Sequence, residues 1–289
     1  MRESIPYLSI KGNWFYEFAL NQTGHRPPKN TDHYSNLKKE NANYSSFGKC
    51  AQRNLNQTLT KWTLTQELGF NQFHFKNSRP LNNHTFITLT LPYKQIHCDK
   101  TIKRECLNDF LIKAKRLWQV HNLMWKAETQ DNGNIHFHML TDRYIPHEQL
   151  RYTWQNSMEK LGYISWYATE NNNLNPNCTD IHAIKKIKNV AAYFSKYMTK
   201  GIKGRDICGH AWGRSENLIR LKPYMIELDN SMQNWLNSQR EKIENSIYSN
   251  EHVGITKFKT IPNLETMPSY HRKIFREITL HNLKVLSGS

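Results

Sequence analysis

The sequence lacks the cysteine spacing that marks a zinc ribbon or a disulfide framework. Its five cysteines are scattered over 289 residues, and none belongs to a Cys-x-x-Cys pair. A scattered set of this kind is typical of free thiols. We therefore expect neither a structural zinc site built on cysteine nor a set of disulfide bonds.

Long apolar runs and targeting signals are also missing. No apolar run approaches the roughly 18 residues that a membrane-spanning helix needs. The first residues, MRESIPYLSIKGNWF, do not have the basic and then apolar pattern of a secretory signal peptide. We expect a soluble cytoplasmic protein with no membrane partner. The chain also has no Gly-x-x-x-x-Gly-Lys-Ser/Thr segment, so we expect no ATP-binding loop in it.

Acidic residues are scarce relative to basic ones. The chain has 24 Asp and Glu residues against 40 Lys and Arg residues, a formal charge of +16, and 12% of its residues are aromatic. Basic side chains attract phosphates and aromatic rings stack on bases, so this combination favours a nucleic-acid partner. General solubility or nonspecific adhesion is the alternative explanation of the charge.

The order of predicted elements indicates an α+β fold, with a central antiparallel sheet of about five strands and helices packed on it. Strands are predicted at HTFITLTLP (84–92), LMWKAETQ (123–130), IHFHML (135–140), ISWYATE (164–170) and TDIHAI (179–184), and helices at 101–120, 145–162 and 190–200. We predict an N-terminal extension at 1–80, partly irregular with a short helix near LTKWTLTQELGF, and a central domain at 81–222. A mainly helical C-terminal extension follows at 223–289.

Two histidines lie one residue apart in the stretch NGNIHFHML. Side chains two residues apart share one face of a strand, so His136 and His138 lie side by side. The turn DNGN (131–134) is typical of a hairpin, which brings Glu128 beside both rings. Two imidazoles and a carboxylate with open positions suit Mn²⁺ or Mg²⁺ better than structural zinc. The alternative is two ordinary strand histidines that share hydrogen bonds.

A second group of polar side chains shares one face of the predicted helix VAAYFSKYMTK (190–200). Asn189 suits its N-cap and Gly201 its end. Helical spacing of about 100° per residue then groups four side chains: Tyr193, Lys196, Tyr197 and Lys200. Lysine charges and a metal-polarised phosphate would make nucleophilic attack by a phenol feasible. The alternative is an amphipathic helix at the protein surface.

Together, FITLTLP, IHFHML and YFSKYMTK resemble the three ordered motifs of the HUH endonuclease superfamily, specifically the rolling-circle replication initiators of single-stranded DNA phages and plasmids. The resemblance covers about residues 84–222 and implies a Rep nickase fold. It also implies that Glu128, His136 and His138 hold Mn²⁺ or Mg²⁺ and that Tyr193 or Tyr197 attacks single-stranded origin DNA, with Lys196 and Lys200 supporting them. The implied products are a 5′-phosphotyrosine link and a free 3′-OH.

The resemblance carries further expectations and leaves two points open. It implies a bacterial host cell, whose helicase and DNA polymerase would act as partners at a hairpin or melted origin. Tyr193 and Tyr197 are spaced as in the two-tyrosine phage initiators, but one nucleophile with one packing tyrosine is equally compatible with two tandem Tyr-x-x-Lys units. A single-strand transposase with the same chemistry, or a noncatalytic DNA-binding module, remains as an alternative function.

Overall fold

Two five-stranded antiparallel sheets organise the part of the chain that the structure, a computed structural model, describes. The described residues are 5–20, 49–76, 78, 84–183, 205–250 and 253–288. The chain divides into two compact units. The terminal unit comprises Met1–Thr31, Gln57–Pro80 and Arg220–Ser289, and the central unit comprises Asp32–Asn56 and Leu81–Ile219. The α+β fold class predicted from the sequence is confirmed.

The elements are numbered in chain order. The strands are β1 (Ile5–Lys11), β2 (Trp14–Leu20), β3 (Thr85–Leu89), β4 (Leu123–Thr129), β5 (Ile135–Thr141), β6 (Thr179–Ala183), β7 (Trp212–Arg214), β8 (Met225–Glu227), β9 (Asn245–Ser249) and β10 (Val253–Phe258). The α-helices are α1 (Lys49–Glu67), α2 (Asp99–Ile102), α3 (Asn108–Trp118), α4 (His147–Glu159), α5 (Tyr163–Asn171), α6 (Glu216–Ile219), α7 (Asn230–Lys242) and α8 (Ser269–Ser287). A π-helical turn, Lys103–Leu107, joins α2 to α3, and another, Leu68–Gln72, follows α1. None of these helices combines the length and hydropathy that crossing a bilayer requires.

The central unit contains the sheet with strand order β6-β3-β5-β4-β7. One face of this sheet is apolar because alternate residues such as Ile87, Phe137 and Met139 point to it, and all three are fully buried. Phe110 of α3 and Trp154 of α4 pack in the same core. Burying one face under helices leaves the opposite face, with the intervening residues of each strand, for polar side chains.

The terminal unit contains the sheet with strand order β8-β1-β2-β10-β9. β1 and β2 form a tight hairpin in which Lys11 pairs with Trp14, and Gly12 adopts the positive φ that such a two-residue turn requires. Leu8 and Phe15 are fully buried on one face of the sheet, in a core that includes Phe275 of α8. The hairpin therefore belongs to a sheet that residues 225–258 complete.

One predicted strand is wrong: ISWYATE (164–170) lies in helix α5. Ile, Trp and Tyr favour strands, but the local sequence also needs partners for the free N–H groups of a helix start. The carboxylate of Glu159 supplies them, accepting hydrogen bonds from the backbone N–H groups of Ile164 and Ser165 at 3.1 and 3.0 Å. This cap comes from the preceding helix, so the residues of α5 alone do not reveal it.

The two chain ends contain more regular structure than the sequence indicated. Residues 1–80 were expected to be partly irregular with a short helix, whereas the described residues there form β1, β2 and the long helix α1. The predicted helical C-terminal extension includes β8, β9 and β10 as well as two long helices. The domain limits at 80/81 and 222/223 stay predictions.

Candidate metal centre

The β4–β5 hairpin positions the three predicted metal ligands. Gly133, with φ 83°, lies in its turn, and the turn closes through a hydrogen bond from Gln130 N to Asn134 O. Glu128 on β4 is directly opposite His136 on β5. His138 lies on the same face, two residues further along β5. The hairpin predicted from DNGN thus brings all three side chains together.

The ligand atoms of the triad converge on one carboxylate oxygen. Oε1 of Glu128 lies 3.0 Å from Nε2 of His136 and 2.8 Å from Nε2 of His138. The two rings are 4.6 Å apart between centroids and inclined at 70°. Each of the three side chains keeps between 12% and 18% of its surface exposed, so the site is open to small ligands.

A buried lysine lies beside the triad. The side chain of Lys126 is fully buried, and its Nζ lies 3.3 Å from Oε2 of Glu128. The two carboxylate oxygens are therefore divided, Oε2 facing the ammonium and Oε1 facing the imidazoles. Burial alone raises the pKa of Glu128, but the hydrogen bonds from His136 and His138 and the charges of His138 and Lys126 hold that pKa well below its usual range. Glu128 is therefore an anion, as a metal ligand must be.

Two residues of β3 support His138 from the neighbouring strand. Oγ1 of Thr88 lies 3.2 Å from His138 Nδ1. The ring of Phe86 stacks on the imidazole, with the centroids 5.3 Å apart and the planes inclined at 18°. A hydroxyl that accepts from Nδ1–H fixes the tautomer that leaves the Nε2 lone pair free for a metal.

The donor set fits a divalent cation. In the described part of the chain, Glu128, His136 and His138 form the one group of three such residues whose ligand atoms all lie within 4.8 Å of one another. Nitrogen and carboxylate donors suit Mn²⁺, and the arrangement leaves positions for further oxygen ligands. Nδ1 of His136 is buried without a hydrogen-bond partner among the described residues, so that ring is oriented by its Nε2 contact alone.

A polar network braces the far end of the same hairpin. Asp99 is 2% exposed, and its two oxygens accept hydrogen bonds from Nη2 and Nη1 of Arg205 at 2.7 and 2.8 Å. Gln95 donates to Asp99 and accepts from the backbone N–H of Ile135, the first residue of β5. Arg205 also donates to the carbonyl of Gly133 in the turn. The network ties the turn to the start of α2.

Residues 84–202 match the model of the family described as replication-associated protein ORF2. The matched range includes the triad and the segment that carries Tyr193 and Tyr197. It spans less than half of the chain, and it supports a replication initiator of the Rep type. No curated protein and no solved structure matched the chain.

The predicted tyrosine helix lies outside the described residues. Tyr193, Lys196, Tyr197 and Lys200 all fall within 184–204, between the end of β6 and Arg205. Their roles stay predictions from the sequence. The described residue that follows this segment directly, Arg205, is the one that bonds to Asp99 and Gly133.

Sequence reasoning did not identify Thr88, Lys126 or Phe86 as parts of the site. Lys126 has a local signal, because it lies two residues before Glu128 and so shares its face of β4. Thr88 and Phe86 have none, because their place depends on the register of β3 against β5, which pairs Thr88 with His138. His182 is paired with Asp180 at 2.8 Å on the edge strand β6, and both side chains are largely exposed.

Proposed function

We propose that this protein is a rolling-circle replication initiator that nicks and rejoins single-stranded origin DNA. The observation that carries the proposal is the convergence of two imidazole nitrogens and one carboxylate oxygen at the open face of the β4–β5 hairpin. The family match supports a role in replication, and the motif order supports tyrosine chemistry. A divalent cation held by Glu128, His136 and His138 would polarise a phosphate oxygen of the scissile nucleotide.

The described residues contribute positioning and charge. Thr88 orients His138, and the Asp99 network holds the hairpin turn, so the donor atoms are preorganised before any ligand binds. Lys126 compensates part of the charge of Glu128. The remaining positive charge of the chain favours a phosphodiester backbone.

The nucleophile in this proposal is the phenolic oxygen of Tyr193 or Tyr197. It forms a bond to phosphorus while the bond between phosphorus and the 3′ oxygen breaks. The phenolic proton is lost and the departing 3′ oxygen gains one, so a 5′-phosphotyrosine link and a 3′-OH result. Attack by the 3′-OH on the phosphotyrosine reverses the step and rejoins the strand, which is why no external energy source is needed. Lys196 and Lys200 would stabilise the charge of the transition state.

The test is incubation with single-stranded origin DNA and Mn²⁺ followed by denaturing electrophoresis. We expect a protein–DNA adduct that survives SDS, disappears with EDTA, and is lost in Glu128→Gln and in the double variant Tyr193→Phe/Tyr197→Phe. The single tyrosine variants separate a two-nucleophile enzyme from a one-nucleophile enzyme.

A matched control is Tyr152→Phe, because Tyr152 is an exposed tyrosine of the same unit, 67% accessible on α4. This variant should form the adduct as the parent does. DNA binding without any adduct would contradict the proposal and favour a noncatalytic module. An adduct formed on terminal sequences of a mobile element, but not on an origin, would favour a transposase.

A further inference from the structure

The outer face of the terminal-unit sheet carries an unusual set of side chains. Leu8, Phe15 and Phe258 point to the helix-covered face and are fully buried. The pairing registers place the intervening residues together on the opposite face. We name this surface the aromatic face, and its members are Tyr7, Lys11, Trp14, Tyr16, Phe18, Tyr248, Val253, Ile255 and Lys257.

The rings of the aromatic face lie in successive cross-strand rows. Strand β2 supplies Trp14, Tyr16 and Phe18, which follow one another at two-residue intervals, about 6.7 Å apart along a strand. Tyr7 on β1 stacks beside Phe18, with centroids 6.3 Å apart and planes inclined at 23°. All four side chains are partly exposed, and Tyr248 on β9 is 58% exposed. Clustered exposed rings of this kind mark a binding surface.

Two lysines lie over rings of the same face. Nζ of Lys11 is 4.4 Å from the ring centroid of Tyr16, and Nζ of Lys257 is 4.9 Å from that of Trp14. Both lysines are exposed. Among the described residues that the registers place on this face, Glu227 at the β8 edge is the acidic one. The face therefore presents aromatic surface and positive charge together.

This combination matches the chemistry of single-stranded nucleic acid. Unpaired bases offer a flat π-face to each ring, and each nucleotide adds one phosphate charge for the lysines. A four-stranded sheet that stacks bases on its exposed rings is an established mode of recognition. A duplex hides its base faces, and an apolar protein partner would leave the lysine charges without a counter-ion.

We propose that the aromatic face binds a stretch of single-stranded nucleic acid, by base stacking on its rings and by phosphate contacts of Lys11 and Lys257. The surface lies in the terminal unit, outside the residues that match the replication-associated family. The proposal goes beyond strand nicking, because binding here requires neither Glu128 nor a metal.

Fluorescence anisotropy on the full-length protein tests this binding in EDTA, where metal-dependent cleavage is absent. The probes are oligo-dT and oligo-U of about 15 nucleotides, the upper range of site sizes for small single-strand binding folds, and a duplex of equal length. We expect Tyr248→Ala and Tyr16→Ala each to weaken single-strand binding roughly fivefold to hundredfold, the effect of one lost base stack. Tyr270→Ala is the control, because Tyr270 is 69% exposed on α8 of the same unit, and its affinity should stay unchanged.

The lysine contacts have their own matched pair. Lys257→Gln should reduce the slope of log affinity against log salt by about 0.7, the value for one phosphate contact on a single strand. Lys273→Gln, at an exposed position of α8, should leave the slope unchanged. Bromodeoxyuridine in the oligonucleotide should crosslink to the peptide that contains Trp14 and Phe18.

Each outcome decides the proposal. A preference for oligo-dT or for oligo-U supports stacking and identifies the source of the strand, whereas equal affinity for the duplex contradicts stacking. Unchanged binding in folded Tyr248→Ala and Tyr16→Ala overturns the proposal, as does a dimer in sedimentation that Tyr248→Ala dissociates, since a second copy would then occupy the face. Loss of the SDS-stable adduct in Glu128→Gln with retained anisotropy separates this binding from the nicking chemistry.

Discussion

Thr88 is a residue whose single hydroxyl gives it a testable part in the metal centre. In Thr88→Val the shape of the side chain is kept, but the contact of 3.2 Å to Nδ1 of His138 is lost. Losing the partner that orients a ligating imidazole typically lowers metal affinity 10- to 100-fold. We therefore expect Mn²⁺ to bind Thr88→Val about 10 to 100 times more weakly, as measured by isothermal titration calorimetry.

Thr85→Val on the same strand is the matched control. Thr85 is buried, and its hydroxyl has no hydrogen-bond partner among the described residues. The same substitution there removes no described contact to the metal centre, so Mn²⁺ affinity should equal that of the parent. Equal affinity in Thr88→Val as well would show that the hydroxyl does not orient His138.

The residues of the centre differ in how far the sequence alone reveals them. The placement of Glu128, His136 and His138 follows from strand alternation and a turn with a strong local signature, and the structure brings these three together as predicted. Thr88 joins them only through pairing between β3 and β5, about 50 residues apart in the chain. No local pattern encodes that register, so the support of the site was not predictable.

At the scale of elements, local signals predicted those parts whose turns and caps lie within them. The hairpin with DNGN and helix α4 with Pro146 at its start are confirmed. Helix α5 was predicted as a strand because its cap, Glu159, belongs to another element. The β1–β2 hairpin did have a local signal, since Gly12 and Asn13 separate two alternating runs, and that signal was overlooked.

The brace of the β4–β5 hairpin gives a prediction for the element as a whole. Burial alone raises the pKa of Asp99, but hydrogen bonds from Arg205, Gln95 and the backbone of Cys208 hold that pKa below its usual range. Asp99→Asn keeps the size of the side chain, removes its charge, and leaves Arg205 without its bidentate partner. We expect the free energy of unfolding of the central unit to fall by about 1–3 kcal/mol, the cost of a lost charged hydrogen bond at a buried position. Urea titration followed by tryptophan fluorescence measures it.

Asp180→Asn provides the comparison in the same unit. Its ion pair with His182 is largely exposed, at 60% and 61% of the two side-chain surfaces. Exposed pairs contribute about 0–1 kcal/mol because water and salt screen them. A loss in Asp99→Asn no larger than that in Asp180→Asn would mean that the hairpin does not depend on this brace.

At the scale of the whole molecule, the terminal unit shows the limit of sequence reasoning most clearly. Strand β2 pairs with β10, so that Phe18 lies opposite Val253, and β1 pairs with β8. These partners are more than 200 residues apart, and each strand alone is too short to indicate which partner it has. Two extensions of a central domain were therefore expected where the structure contains one sheet.

The scarcity of acidic residues makes the molecule sensitive to acid. Burial alone raises the pKa of Asp109, but hydrogen bonds from Lys113, Lys160 and Ser157 lower it to about 2. The pKa of Glu128 and that of Asp99 are lowered as well, whereas burial raises that of Asp142. A carboxyl whose pKa is lower in the folded than in the unfolded chain stabilises the fold above the unfolded value of about 4. That contribution disappears as the pH falls toward about 2.

We therefore expect the free energy of unfolding to decrease steeply between about pH 4 and pH 2, because the unfolded chain binds more protons there. Each proton also adds to a formal charge that is already +16, so self-repulsion acts in the same direction. Asp109→Asn should be less stable than the parent at pH 7, and the difference should shrink as the pH approaches 2. Asp131→Asn, at an exposed position of the hairpin turn, should follow the parent at every pH. Urea unfolding at a series of pH values measures all three proteins, and a constant difference between Asp109→Asn and the parent would show that the ion pairs of Asp109 do not cause the acid sensitivity.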